Sequence, residues 1–123
     1  MMRVAEDEER EGRISLEVVV DANGPEEQAM GWYYYLSDKI EFPFRARCSS
    51  QRSISPLRKD EEVVIEAMAR EDDCMAEMFV MTRWMDRRFA VPLAQLQPLD
   101  VDPRTAEAVD DWIYWSNRGY RLC

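Results

Sequence analysis

Glu77-Met-Phe-Val-Met-Thr-Arg-Trp-Met-Asp-Arg-Arg-Phe-Ala-Val-Pro92 is the stretch that decides the fold. Its two extended runs, Glu77 to Trp84 and Arg87 to Pro92, flank the short turn Met85-Asp86 as the strands of an antiparallel hairpin would. Upstream, Phe44 to Cys48 and Glu62 to Ala69 have the same strand-like composition. Short strands with tight links predict a small, curved antiparallel sheet or an SH3-like barrel. Ile14, Leu16, Val18 and Val20 alternate with polar or smaller partners, the period of a half-buried strand, and Asp21-Ala-Asn-Gly-Pro25 stops that run with turn chemistry.

Two helices are expected around these strands. Pro25 suits a first helical position, Glu26 and Glu27 favour the positive end of the helix dipole, and Ala29, Trp32 or Tyr33, Leu36 and Ile40 recur at helical spacing. Phe42-Pro43-Phe44 ends that helix, because proline forces its predecessor into extended geometry. Asp102-Pro103 reads as N-cap plus first helical residue of a second helix, with Ala106, Val109, Trp112 or Ile113 and Ser116 facing inward and Gly119 as its stop. The fold class is therefore α+β: a curved sheet or SH3-like barrel covered by two amphipathic helices. Residues 1–13, which carry the run Glu6, Asp7, Glu8, Glu9 and Glu11, are expected to be a flexible acidic tail, and residues 14–123 a single domain.

Composition narrows the function. With 46% hydrophobic residues the chain can build a core, and a formal net charge of -9 has the wrong sign for binding nucleic acid or an anionic membrane. Its natural partners are cations or basic proteins, although no particular protein partner can be named. No histidine is present, which removes Ser-His-Asp and Cys-His nucleophile pairs and histidine-rich zinc sites. Cys48, Cys74 and Cys123 show no Cys-x-x-Cys spacing and suit neither a disulfide framework nor a zinc site. No apolar run approaches the ~20 residues of a membrane span, and the segment from Arg3 to Arg13 is too charged for a signal peptide, so a cytoplasmic location is expected.

The carboxylates are the remaining source of chemistry. On the first helix, Asp38 and Glu41 are neighbours on the face opposite the apolar stripe. On the last helix, Glu107, Asp110 and Asp111 crowd together without a basic residue at the stabilising spacing, and Glu71-Asp72-Asp73 forms a third group between strands. For any of these clusters, an ordinary solvated surface is the competing reading. Hard oxygen ligands without imidazole or thiolate suit calcium better than zinc or copper. There is no EF-hand loop: Asp100-Val-Asp102 begins like one and then meets Pro103. Any calcium site must combine separate segments. The aromatic residues from Trp32 to Tyr35 and from Trp112 to Trp115 read as core and core rim, and the basic stretch from Arg45 to Lys59 as solvated loop charge, with a partner contact as the alternative.

The string Ala29-Met-Gly-Trp-Tyr-Tyr-Tyr-Leu-Ser-Asp-Lys-Ile-Glu-Phe-Pro-Phe44 resembles the signature of the cyanobacterial calcium-binding protein family, small acidic CcbP-like proteins unrelated to EF-hands. Ser55-Pro-Leu57, the acidic turn before Cys74, Met78-Phe-Val80, Ala90-Val-Pro-Leu93 and Asp110-Asp-Trp-Ile-Tyr-Trp115 resemble that family in the same order. The resemblance implies reversible calcium binding by a cytosolic buffer or sequestering protein. It points to Asp38 with Glu41 beside it, then to Asp110 and Asp111, with Asp72 and Asp73 as a weaker second site. Asp38 and Glu41 are expected to face Asp110 and Asp111 across the packed helices. Two rivals stand beside this reading. One is an SH3-like module that binds a basic or proline-rich partner through Trp84 and the turn near Asp72. The other is an enzyme using Asp38 and Asp111 as acid and base, which the shallow setting of these acids argues against.

Overall fold

A computed structural model describes residues 7–20 and 22–118. Asp21, Gly119, Cys123, the acidic residues before Asp7 and the side chain of Trp84 lie outside that description. The chain forms helix α1 (Glu8–Arg13), a π-helical turn (Ile14–Val18), helix α2 (Pro25–Lys39), strands β1 (Phe44–Cys48) and β2 (Glu62–Met68), a 3-10 turn (Glu71–Cys74), strands β3 (Phe79–Trp84) and β4 (Arg87–Pro92), a short 3-10 turn (Leu93–Gln95), strand β5 (Leu96–Leu99) and helix α3 (Pro103–Asn117).

The strands make one antiparallel sheet in the order β4-β3-β2-β1-β5. Its two edges, β4 and β5, do not pair with each other, so the sheet is open and the barrel alternative does not hold. Met85 and Asp86 both take positive φ, 48° and 68°, which matches the right-handed twist of a two-residue hairpin and lets Trp84 face Arg87 across the turn. Strand alternation does the rest. Phe44, Ala46 and Cys48 point into the core, while Arg45 is exposed on the other face between them. The fifth strand is not evident from the sequence, because Gln97 and Pro98 interrupt its apolar pattern; proline is tolerated there since β5 is an edge strand.

Helices α2 and α3 cover the inner face. Trp32 lies against Trp112 edge to face, with ring centroids 5.2 Å apart, and against Trp115 at 5.5 Å; all three rings belong to one buried cluster with the inner sheet residues. In α3 the buried residues are Thr105, Ala108, Val109, Asp111, Trp112, Tyr114 and Trp115, so the inward stripe is rotated from the expected one and shares only Val109 and Trp112 with it.

The region before α2 corrects two expectations. Ile14 to Val20 is not a strand: Ile14 and Val18 are buried, but Leu16 is 75% exposed, and the backbone is helical from Ile14 to Val18 and then turns. Apolar residues four apart satisfy a period of two and a period of 3.6 alike, and here the helical one prevails. Residues 8–13, expected to be a solvated tail, form a helix capped by Asp7, whose side chain accepts from the Arg10 amide. The π-turn crosses α2 so closely that a Cβ on Gly31 would overlap the Val18 carbonyl oxygen. Glycine is required at that contact by space, not by backbone conformation.

Candidate functional site

The end of α2 meets the start of α3 through a hydrogen-bond relay. The Glu41 amide donates to Thr105 Oγ1 at 2.9 Å, the Thr105 hydroxyl donates to Asp102 Oδ1 at 2.5 Å, and the Thr105 amide donates to Asp102 Oδ2 at 3.1 Å. Asp102 is thus the N-cap of α3, and these bonds hold its carboxyl below the usual range, keeping it ionised. Asp100 takes a φ of 53°, a left-handed conformation that Asp tolerates better than most residues, and turns the chain from β5 toward that cap.

As a result Glu41, from the α2–β1 connection, and Asp100 and Asp102, from the β5–α3 connection, line one cleft of about 440 Å³ together with Phe42, Phe44 and Arg45. α2 ends at Lys39 and Ile40 is extended, so Glu41 lies beyond the helix and not, as expected, on its face with Asp38; Asp38 is exposed with its Oδ2 3.8 Å from Arg104 on α3. Arg45 donates to Glu62 at 2.7 Å and stands 3.5 Å from Asp100.

Asp111 is placed quite differently. It is wholly buried, and Arg13 grips it with two hydrogen bonds, Nη2 to Oδ1 at 2.6 Å and Nε to Oδ2 at 2.9 Å. Arg10 Nε stands 3.5 Å away, and the Tyr35 hydroxyl donates to Oδ2 at 2.9 Å. Arg13 is held protonated above its ordinary value, chiefly by its hydrogen bond to Asp111, and the Tyr35 phenol is pushed up by burial and then by its bond to the same carboxylate. This charge is already compensated by protein groups. Asp110, the next residue back, is exposed; desolvation pushes its carboxyl up, Arg10 opposes this and Asp111 adds to it.

Asp72 and Asp73 lie exposed on the 3-10 turn, Asp72 with Arg70 3.6 Å away. Their turn is tethered to α2: Tyr34 donates to Glu71 at 2.5 Å and Tyr33 to the Ala69 carbonyl at 2.6 Å.

The expected meeting of Asp38 and Glu41 with Asp110 and Asp111 is not seen. Glu41 reaches α3 at Thr105 and Asp38 reaches it at Arg104, near its start, whereas Asp111 meets Tyr35, Arg13 and Arg10 farther along. Among the described residues no three carboxylates or thiols stand close enough together to hold a metal ion. The chemistry of the donors still favours a hard cation. Burial pushes the Cys48 and Cys74 thiols up, away from the thiolate form that zinc or copper would use, while the cleft offers carboxylate oxygens from two segments. Sequence reasoning noticed Asp100 and Asp102 but set them aside as a broken EF-hand and a helix cap. Their signal was the spacing itself: two carboxylates just ahead of a helix-starting Pro103. The arginine grip on Asp111 had no local signal at all.

No helix among the described residues is long and apolar enough to cross a membrane. No curated protein matches the chain. Two solved structures do. One is described as the crystal structure of Anabaena CcbP, with 40% identity, 98% of each chain covered and a TM-score of 0.85. The other is described as a calcium-binding protein in the calcium-binding form, also with 40% identity and 98% of each chain covered, with a TM-score of 0.81. The family model for CcbP-type calcium binding matches residues 12–116, the span from the end of α1 to the last turn of α3, and the chain belongs to that calcium-binding family.

Proposed function

We propose that the protein binds calcium reversibly through the cleft lined by the α2–β1 and β5–α3 connections and serves as a cytosolic calcium buffer or sequestering protein. The observation that carries this reading is that Glu41, Asp100 and Asp102 line one cleft, with Asp38 three residues before Glu41 in the chain. Calcium accepts irregular sets of six to eight oxygens from carboxylates, backbone carbonyls and water, so a partly formed group of carboxylates suits it better than magnesium. When bound, the ion would neutralise the mutual repulsion of these groups. Thr105 ties the Glu41 backbone to Asp102, and the left-handed Asp100 adds a further carboxylate to the same cleft. Family membership supports the reading independently, and the family is not one of enzymes. Asp72 and Asp73 are assigned a weaker, surface-bound ion. Asp111 is assigned a structural role, because a calcium ion there would have to displace Arg13.

Isothermal calorimetry tests the assignment. Asp38→Asn, Glu41→Gln and Asp100→Asn should each weaken calcium binding at least tenfold, whereas Asp72→Asn should spare the tighter event. Unchanged affinity in all three cleft variants would sink this placement of the site.

A further inference from the structure

The cleft contains a cation of its own. Arg45 lies on β1 directly after Phe44, and strand pairing places it opposite Leu99 on one side and Val64 on the other. That register brings its guanidinium beside Asp100 at 3.5 Å, while a shorter bond of 2.7 Å ties it to Glu62 on β2. Arg45 lines the same cleft as Glu41, Asp100 and Asp102. A guanidinium cannot shed its proton at any relevant pH, so it can yield Asp100 to another cation only by moving. Glu62 gives it somewhere to stay, since that contact is already the stronger of the two.

We propose that Arg45 is a built-in competitor for calcium at this site, occupying Asp100 in the ion-free protein and withdrawing to Glu62 when the metal enters. This inference rests on the cleft being the calcium site. Its consequence is a tuned threshold. A divalent ion gains enough from the carboxylates to displace one arginine from Asp100, whereas sodium or potassium, with half the charge, gains much less. Arg45 therefore lowers calcium affinity, favours reversibility, and holds monovalent ions out of the cleft.

The test compares Arg45→Gln with Arg47→Gln by calcium calorimetry at low and at physiological potassium. Arg47 is the control: it lies on the same strand and also reaches Glu62, at 3.7 Å, but it is not part of the cleft. Arg45→Gln should tighten calcium binding by about three- to tenfold, the worth of one nearby unit charge acting on a divalent ion in a screened site. It should also make that affinity more sensitive to potassium, and slightly lower the melting midpoint of the calcium-free protein by leaving Asp100 without its arginine partner. Arg47→Gln should change the affinity less than about twofold. Equal tightening in both variants, or none in Arg45→Gln while Asp100→Asn still weakens binding, overturns the role given to Arg45 alone. Wild-type affinity in Asp100→Asn overturns the cleft reading and this role with it.

Discussion

Replacing Asp111 with Asn separates a structural carboxylate from a metal ligand. Asp111 is wholly buried, and the side chains of Arg13 and Arg10 that face it are only 22% and 27% exposed. Breaking a fully buried ion pair by removing one partner costs about 3–5 kcal/mol, because the other charge is left uncompensated. Water reaches both arginines here, and Asn can still accept one hydrogen bond, so the expected loss is about 2–3 kcal/mol. For a domain of this size that lowers the melting midpoint by roughly 10 °C. Urea and thermal unfolding, each with and without calcium, measure it. The loss should be the same in both conditions, and calcium affinity should stay within about twofold of wild type. A double-mutant cycle with Arg13→Met should recover most of the cost as coupling between the two residues. If Asp111→Asn unfolds like wild type, or if it abolishes calcium uptake in a protein that remains folded, the structural assignment fails.

Gly31→Ala should destabilise the protein by about 1–3 kcal/mol in urea unfolding, since its methyl group meets the rigid Val18 carbonyl, and should speed amide exchange in the π-turn; a neutral result would mean that the turn can lift away freely. Stability should hold up to about pH 10 and fall above it, because the Tyr35 phenol is raised above its unfolded value, so the unfolded chain loses that proton first as pH rises. Tyr35→Phe should flatten this alkaline slope in pH-dependent melts, and an unchanged slope would remove Tyr35 as its source. Asp102→Ala should accelerate amide exchange at both Thr105 and Glu41, since it removes the acceptor that orients the Thr105 hydroxyl; acceleration at Thr105 alone would break the proposed relay.

The parts of this molecule that were legible in the sequence are those governed by local chemistry. Met85-Asp86 between two strand-like runs, Asp102-Pro103 before an amphipathic stretch, and Pro43 after α2 each determine their own surroundings, and all three appear as expected. Ile14 to Val20 was misread because four-residue spacing fits either period; only packing against Gly31 distinguishes them. The site was partly legible for the same reason. Asp38 and Glu41 read as neighbours on one helix face, but the extended Ile40 carries Glu41 off the helix, and Asp100 and Asp102 reach Glu41 only through the antiparallel pairing of β5 with β1. Asp110 and Asp111 look equivalent in sequence. A rotation of about 100° between successive helical residues leaves the first exposed and seats the second among arginines that come from the opposite end of the domain.

The grip of Arg13 on Asp111 bears on how the protein is made. The two residues are 98 positions apart, so a chain growing from the ribosome exposes Ile14 and Val18 long before their anchoring carboxylate has been synthesised. The π-turn can settle on α2 during translation, but α1 can reach its Arg13–Asp111 anchorage only after α3 has emerged. Until then Arg13 lacks the buried carboxylate it grips in the folded protein, and completion of the native state must wait for α3 to leave the exit tunnel.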